Sequence, residues 1–261
     1  MINNIRLRPF YYTRVIFIVA LLGLFMAHKY YGVSRVWPFV LLGVYLAVLA
    51  LGAIYIRWNF FLESYNKGKD KNKIALTFDD GPGAETAAIL DVLREQQVPA
   101  AFFCIGKNIA TGAEMLKRID IEGHIVGNHS FNHGFNFDWQ STAAMMKEME
   151  LTNNTIANII GKTPRLFRPP YGVTNPNLAR AVGNTHMYSI GWSLRSFDTK
   201  ATDPRALLNK ILSQLKGGDI VLLHDTKTIT REILTDLITS ARQKGFTFVR
   251  VDKMLSINAY A

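Results

Sequence analysis

Two adjacent acids, Asp79 and Asp80, stand in the stretch TFDDGPG (residues 77–83), behind the apolar run KIALT and ahead of a Gly-Pro turn. The apolar run reads as a buried strand, and Gly81-Pro82 breaks regular structure after it. Carboxylates at the C-terminal end of such a strand sit where α/β proteins carry their chemistry. A turn serving only solubility needs one acid, not two. Farther on, NHSFNH places His129 and His133 four residues apart. On one turn of helix both imidazoles would face the same way and reach one cation. The pair alone could equally be two unconnected polar histidines; Asp80 at another strand end gives it force. Two His and one Asp leave positions open for water and substrate, as in a catalytic rather than a structural metal site. Such a metal acidifies bound water and polarises a carbonyl oxygen. Asp79 is then free to accept a proton from the attacking water, because neighbours on an extended chain point opposite ways.

Two further stretches fit the same chemistry. LFRPPYG places Arg168 before two prolines and Tyr171. Proline fixes φ and lacks a donor, which leaves the Tyr171 N–H as the next free amide, suited to an oxyanion. Arg168 is placed to pair with Asp79 and keep it ionised; a structural Arg-Pro turn is the plain alternative. DIVLLHD ends a buried strand in His224-Asp225, and a histidine beside a supporting Asp225 suits a general acid that protonates a leaving amine. Trp192, Leu222 and Tyr171 are candidate apolar walls for a ring-shaped substrate. His28, His124 and His186 carry no such context and read as structural or surface residues. The single cysteine, Cys104, lies in the apolar AAFFCIG and reads as a small buried hydrophobe; it excludes an internal disulfide and a Cys-based zinc site.

These residues need a scaffold to bring them together. From residue 73 onward, short apolar runs at 73–78, 100–105, 124–128, 165–168, 186–192, 219–224 and 246–251 read as strands. They alternate with helical patterns at 84–96, 107–122, 140–160, 176–183, 203–216 and 229–244. Strand–helix alternation over this length predicts a parallel sheet with helices outside it, open or closed into a barrel. No dinucleotide fingerprint or Walker A loop occurs, so no nucleotide is expected.

The first 57 residues differ in kind. They hold six basic residues (Arg6, Arg8, Arg14, Lys29, Arg35 and Arg57) and no acid, while the chain's net charge is +10. Residues 58–261 therefore carry only +4, with no basic stripe interleaved with aromatics, which argues against nucleic acid as a partner. Residues 37–56 are 20 uncharged residues flanked by Trp and Tyr, enough for roughly 30 Å of helix and a bilayer core. Residues 15–27 form a second apolar run with no signal-peptide cleavage site after it. The reading is a membrane region over 1–57 with a two-helix hairpin, one span being the alternative. A polar, lysine-rich linker over 58–72 follows, then a catalytic domain over 73–261.

TFDDGP, HSFNH, RPPY and LLHD, in this order and at the ends of successive strands, resemble the polysaccharide deacetylases of carbohydrate esterase family 4, the NodB-homology domain. The resemblance covers roughly residues 73–251. It implies a distorted (β/α) barrel and metal-dependent hydrolysis of N-acetyl groups from amino sugars. It implies Asp79 as base, Asp80, His129 and His133 as metal ligands, and Arg168 as the residue that orients the base. It further implies the Tyr171 amide at the oxyanion, His224 as acid, and one divalent metal ion, Zn2+, with other divalent ions accepted. A fifth family motif, of the form D-x-x-D-W, is only partly kept in WSLRSFDT. Asp198 remains, but Arg195 stands where the first Asp is expected and Thr199 where the Trp is expected.

The expected substrate is an N-acetylated glycan of the cell envelope: chitooligosaccharide-like, peptidoglycan or exported polysaccharide. The alternative is a lipid-linked amino sugar, deacetylated or deformylated at the membrane. A non-catalytic carbohydrate-binding relative is the third reading. A catalytic domain anchored to the inner or plasma membrane and facing outward suits the first. Five basic residues on its membrane-proximal side (Arg57, Lys67, Lys69, Lys71 and Lys73) pull toward the cytoplasmic face.

Overall fold

The structure, a computed structural model, describes residues 9–261. Arg6 and Arg8, which weigh in the charge asymmetry, lie outside the described residues. The strands run in chain order as β1 (Ser64–Tyr65), β2 (Lys73–Gly81), β3 (Ala100–Cys104), β4 (Ile125–Asn128) and β5 (Leu166–Phe167). They continue as β6 (Tyr188–Ile190), β7 (Leu194–Arg195), β8 (Ile220–His224) and β9 (Thr247–Phe248). They pair side by side in the order β1-β6-β5-β4-β3-β2-β8-β7, with β9 added to β2, and every pair of strands is parallel. The sheet curls into an open half-barrel with helices on its outer face, the distorted barrel that the family resemblance implies.

Pleating of β2 explains how the two layers are filled. Ile74, Leu76 and Phe78 face outward and pack with Leu90, Leu93, Val221 and Leu234 beneath the helices. Ala75 faces inward with Ala101, Phe103, Ile190, Trp192 and Leu222. Side chains alternate along a strand, so Thr77 and Asp79 share the inner face with Ala75. That parity carries Asp79 to the mouth of the half-barrel.

Helix boundaries fall close to the expected ones, at Thr86–Glu95, Thr142–Ile160, Pro176–Asn184, Pro204–Gln214 and Thr228–Gln243. The single helix expected over 107–122 is instead two, Gly106–Thr111 and Ala113–Ile121, divided at Gly112. Gly112 lies against Pro82, where an added Cβ would stand 3.2 Å from the proline ring. The Gly-Pro turn after the acid pair thus sets the break.

Two N-terminal helices, α1 (Pro9–Tyr31) and α2 (Trp37–Ile54), are long and apolar enough to cross a membrane. They face each other through Phe17 and Tyr45, whose rings stack at 4.2 Å. The 58–72 stretch differs from the polar linker expected there. Phe60, Phe61 and Leu62 are buried, β1 pairs with β6, and Lys67 pairs with Asp219 at 3.3 Å. Apolar side chains at the start of the stretch drive this packing, and its lysines lie on the surface beyond them. The last turn of α2 also touches the sheet domain. Thr174 N–H donates to the Ala53 carbonyl at 2.9 Å, and Gly52 lies against the Phe60 ring.

Candidate active site

The acid pair does not diverge as regular pleating would require. A register shift falls between Asp79 and Gly81, and Asp80 takes a left-handed φ of 73°. The extra residue of the bulge turns both carboxylates toward one point. The nearest oxygens of Asp79 and Asp80 lie 3.8 Å and 3.5 Å from the same atom, His129 Nε2. The Asp80 carbonyl accepts from Asn108 Nδ2 at 2.9 Å, and the Gly81 carbonyl accepts from the Ile105 amide at 2.8 Å, which fix the bulge. Asn108 was not among the residues singled out from sequence, because only the fold brings it here.

At Gly81 a Cβ would run into the carboxylate of Asp225. Gly81→Ala is therefore expected to lower stability by about 1–3 kcal/mol through overpacking and to displace the tip of β2. A denaturant melt checks this, and an unchanged midpoint would contradict it.

His129 and His133 are not on a helix, contrary to the expectation from their spacing. They lie in the loop after β4, where Ser130 and His133 have φ of 61° and 50°. Local side chains impose this shape. The Asn128 carbonyl oxygen accepts from Ser130 N–H at 2.9 Å, Ser130 Oγ accepts from His133 N–H at 3.1 Å, and Glu148 accepts from the amides of Phe131 and Asn132. Asn and Ser side chains that bond nearby amides compete with helix formation. Both imidazoles still converge: each Nε2 lies 3.5 Å from Asp80 Oδ1. His129 Nδ1–H donates to the Arg168 carbonyl at 2.8 Å, which leaves the Nε2 lone pair facing the acids.

Ligand atoms of Asp80, His129 and His133 all lie within 4.8 Å of one another. Burial pushes His133 down to about 4, so it is neutral and able to ligate at neutral pH. Burial raises Asp80, but the facing histidines outweigh it and hold its carboxyl at about 2. Two imidazole nitrogens and a carboxylate oxygen converging on one point fit a divalent cation.

Arg168 is completely buried, so its charge demands partners. Nη1 donates to Asp79 Oδ1 at 2.7 Å and to Thr77 Oγ1 at 2.9 Å. Nε and Nη2 donate to the carbonyls of Ile190 and Gly191 at 3.1 and 3.0 Å. Those carbonyls and Thr77 buttress the arginine, while Arg195 is exposed, 5.7 Å from the Trp192 ring. Trp192 itself is largely buried, with its ring against Gly172, and Leu222 is buried behind it.

The carboxylate that supports His224 is Asp198, not its sequence neighbour Asp225. His224 Nδ1–H donates to Asp198 Oδ1 at 2.8 Å, and Asp198 Oδ2 accepts from Thr230 Oγ1 at 2.6 Å. Burial would lower the imidazole pKa, but the bond to Asp198 and its charge prevail and raise it. Asp225 instead accepts from Thr86 Oγ1 at 2.6 Å, with its other oxygen unpartnered, and burial pushes it up to about 7. His224 Nε2 faces the centre, 4.0 Å from Asp80 Oδ2.

Tyr171 is half-exposed, its ring 4.8 Å from that of His133. Its φ of 55° turns the peptide out of line, and among the described residues its N–H has no acceptor. His124 is structural: its Nδ1 accepts from Ala100 N–H at 3.1 Å. Cys104 is buried, as expected.

Residues 66–190 match the polysaccharide deacetylase family. The chain is also 32% identical over 192 residues to a peptidoglycan-N-acetylglucosamine deacetylase of Bacillus cereus, covering 69% of this chain and 70% of that one. The chain belongs to the polysaccharide deacetylase family. It is 34% identical over 189 residues to the peptidoglycan-N-acetylglucosamine deacetylase PgdA of Listeria monocytogenes, covering 72% of this chain but only 40% of the length of that relative. The fold also matches a solved family pseudoenzyme from Bacillus anthracis, with a TM-score of 0.70 and 27% identity over 74% of this chain and 69% of that one. Within this family the fold alone does not secure activity, so the side chains at the mouth of the half-barrel must.

Proposed function

We propose that the chain hydrolyses N-acetyl groups from amino sugars of an envelope glycan, using a divalent metal held by Asp80, His129 and His133. The observation that carries this reading is the placement of a base and an acid on either side of the ligand set. Asp79 Oδ2 lies 3.8 Å from His129 Nε2, and His224 Nε2 lies 4.0 Å from Asp80 Oδ2.

When bound, the metal, zinc by family resemblance, would acidify water and polarise the amide carbonyl. Arg168 occupies Asp79 Oδ1 and leaves Oδ2 free, so Asp79 takes a proton from the attacking water. The Tyr171 N–H, without an acceptor in the protein, donates to the oxyanion as the carbonyl carbon becomes tetrahedral. His224, protonated through Asp198, gives its Nε2 proton to the leaving amine. Water and amide become acetate and a free amino sugar.

The half-exposed Tyr171 and the edge of Trp192 form the wall for the sugar ring. We place the catalytic domain at a membrane held by α1 and α2, facing outward toward the glycan. A second reading, a lipid-linked amino sugar worked on at the cytoplasmic face, rests on the bond from Thr174 to Ala53. It ties the loop after Tyr171 to the last turn of α2.

Acetate release by the full chain in detergent, on peptidoglycan fragments, chitin oligomers and a polyprenyl-phosphate N-acetylamino sugar, tests both readings. Release from the first two supports the glycan, and release confined to the third supports the lipid-linked sugar. No release from any of them overturns the hydrolase.

A further inference from the structure

A cavity of about 450 Å³ shares Trp192 with the wall of the catalytic mouth. Its walls include Tyr55, Arg57, Trp58, Trp192, Arg195 and Phe197, and no acidic residue lines it. Tyr55 and Trp58 stack at 5.1 Å just past the end of α2. The Arg195 guanidinium lies 5.7 Å from the Trp192 ring and 5.0 Å from that of Phe197. Arg57 Nη1 donates to the Ser193 carbonyl at 2.9 Å. Neither arginine pairs with a carboxylate among the described residues. Arginine elsewhere in this chain does so repeatedly: Arg94, Arg118, Arg168, Arg231 and Arg250 each hold an acid.

Two unpaired guanidinium groups and four aromatic rings around one cavity suit a particular chemistry. Indole and phenol faces stack on sugar rings, and guanidinium binds phosphate or carboxylate through paired N–H donors. Arg195 is held over two rings, so its fork loses less freedom on binding than a free side chain would. Register fixes the position too: Arg195 lies opposite Leu222 in β8, two residues before His224. We infer that this cavity is a binding subsite for a saccharide unit bearing an anionic group, phosphate or carboxylate, joined to the sugar that loses its acyl group. Trp192 is the wall shared by the two sites. This inference deepens the proposed deacetylase reading by naming a charged substrate class.

The test is calorimetric titration of the full zinc-loaded chain in detergent with four probes. These are N-acetylglucosamine 1-phosphate, N-acetylmuramic acid, the neutral methyl glycoside of N-acetylglucosamine, and inorganic phosphate. The wild-type protein is expected to bind at least one anionic sugar about tenfold more tightly than the neutral one, the scale of one charge-assisted hydrogen bond. Arg195→Gln is expected to remove most of that preference and leave neutral-sugar affinity unchanged. Arg195 is exposed, so this variant should fold; Arg57→Gln, which also loses the bond to Ser193, is the second. Preference for the phosphate or for the carboxylate tells which anion the site takes. Binding of inorganic phosphate that Arg195→Gln leaves intact belongs to the metal and does not count for the subsite. No anionic preference in the wild-type protein, or one that survives both substitutions, overturns the inference. The readout is a ratio of affinities between charged and neutral probes rather than a rate, so its failure is distinct from a failure of the hydrolase reading.

Discussion

Asp79→Asn is expected to lower kcat by about 10²–10⁴, the usual worth of a positioned general base, while bound zinc stays near one per chain. The asparagine keeps an acceptor for Arg168 but loses the charge that balances a fully buried guanidinium. Asp79→Ala removes both, and breaking a buried pair in this way costs about 3–5 kcal/mol. Activity, metal content and melting temperature measured together separate base from support. Asp80→Ala should behave differently, losing metal and acetate release together, because its carboxylate faces both histidines at 3.5 Å. Equal zinc content in the Asp79 and Asp80 variants would contradict the division of labour between the neighbours. An undiminished rate in Asp79→Asn would remove it as the base.

Asp198→Asn tests the acid. The bond and charge of Asp198 raise the His224 pKa above its ordinary 6.5 against burial, which alone would lower it. The protonated imidazole is the acid, so activity persists as pH rises until the raised pKa is passed. With asparagine at 198 the two largest upward causes are lost and the pKa falls, though the charges of Asp79 and Asp80 remain. The basic limb of the kcat/KM profile should therefore move to lower pH, with a far larger loss at pH 8 than at pH 6. His224→Ala should flatten that limb and reduce the rate by about 10²–10⁴. A basic limb that stays in place in Asp198→Asn would assign it to another group. Asp225→Asn should leave the limb where it is, since Asp225 bonds Thr86 rather than His224.

Much of this site is legible in the amino-acid sequence. Alternating strands and helices give the parallel sheet, and strand ends supply Asp79, Asp80, His129, Arg168 and His224. How those residues meet is less legible. His129 and His133 suggest one helical turn by spacing, but Asn128, Ser130 and Glu148 fold their loop through left-handed backbone angles. The acid pair suggests divergence by pleating, but the bulge at Asp80 overrides it. A histidine's partner is a tertiary fact: Asp225 is adjacent in sequence, yet Asp198 arrives from the connection before Pro204–Gln214. Strands β1 and β7 have two residues each, too few for a period to register. The 58–72 stretch looks polar on average, and its three leading apolar residues dock nonetheless.

The most direct test of the account is acetate release from an N-acetylated glycan before chelation, after chelation, and after zinc is returned at one equivalent per chain. Loss of release on chelation and recovery at one equivalent in the wild-type protein, with no recovery in Asp80→Ala, is the expected result. Release that persists in the fully stripped wild-type protein would contradict a metal held by Asp80, His129 and His133.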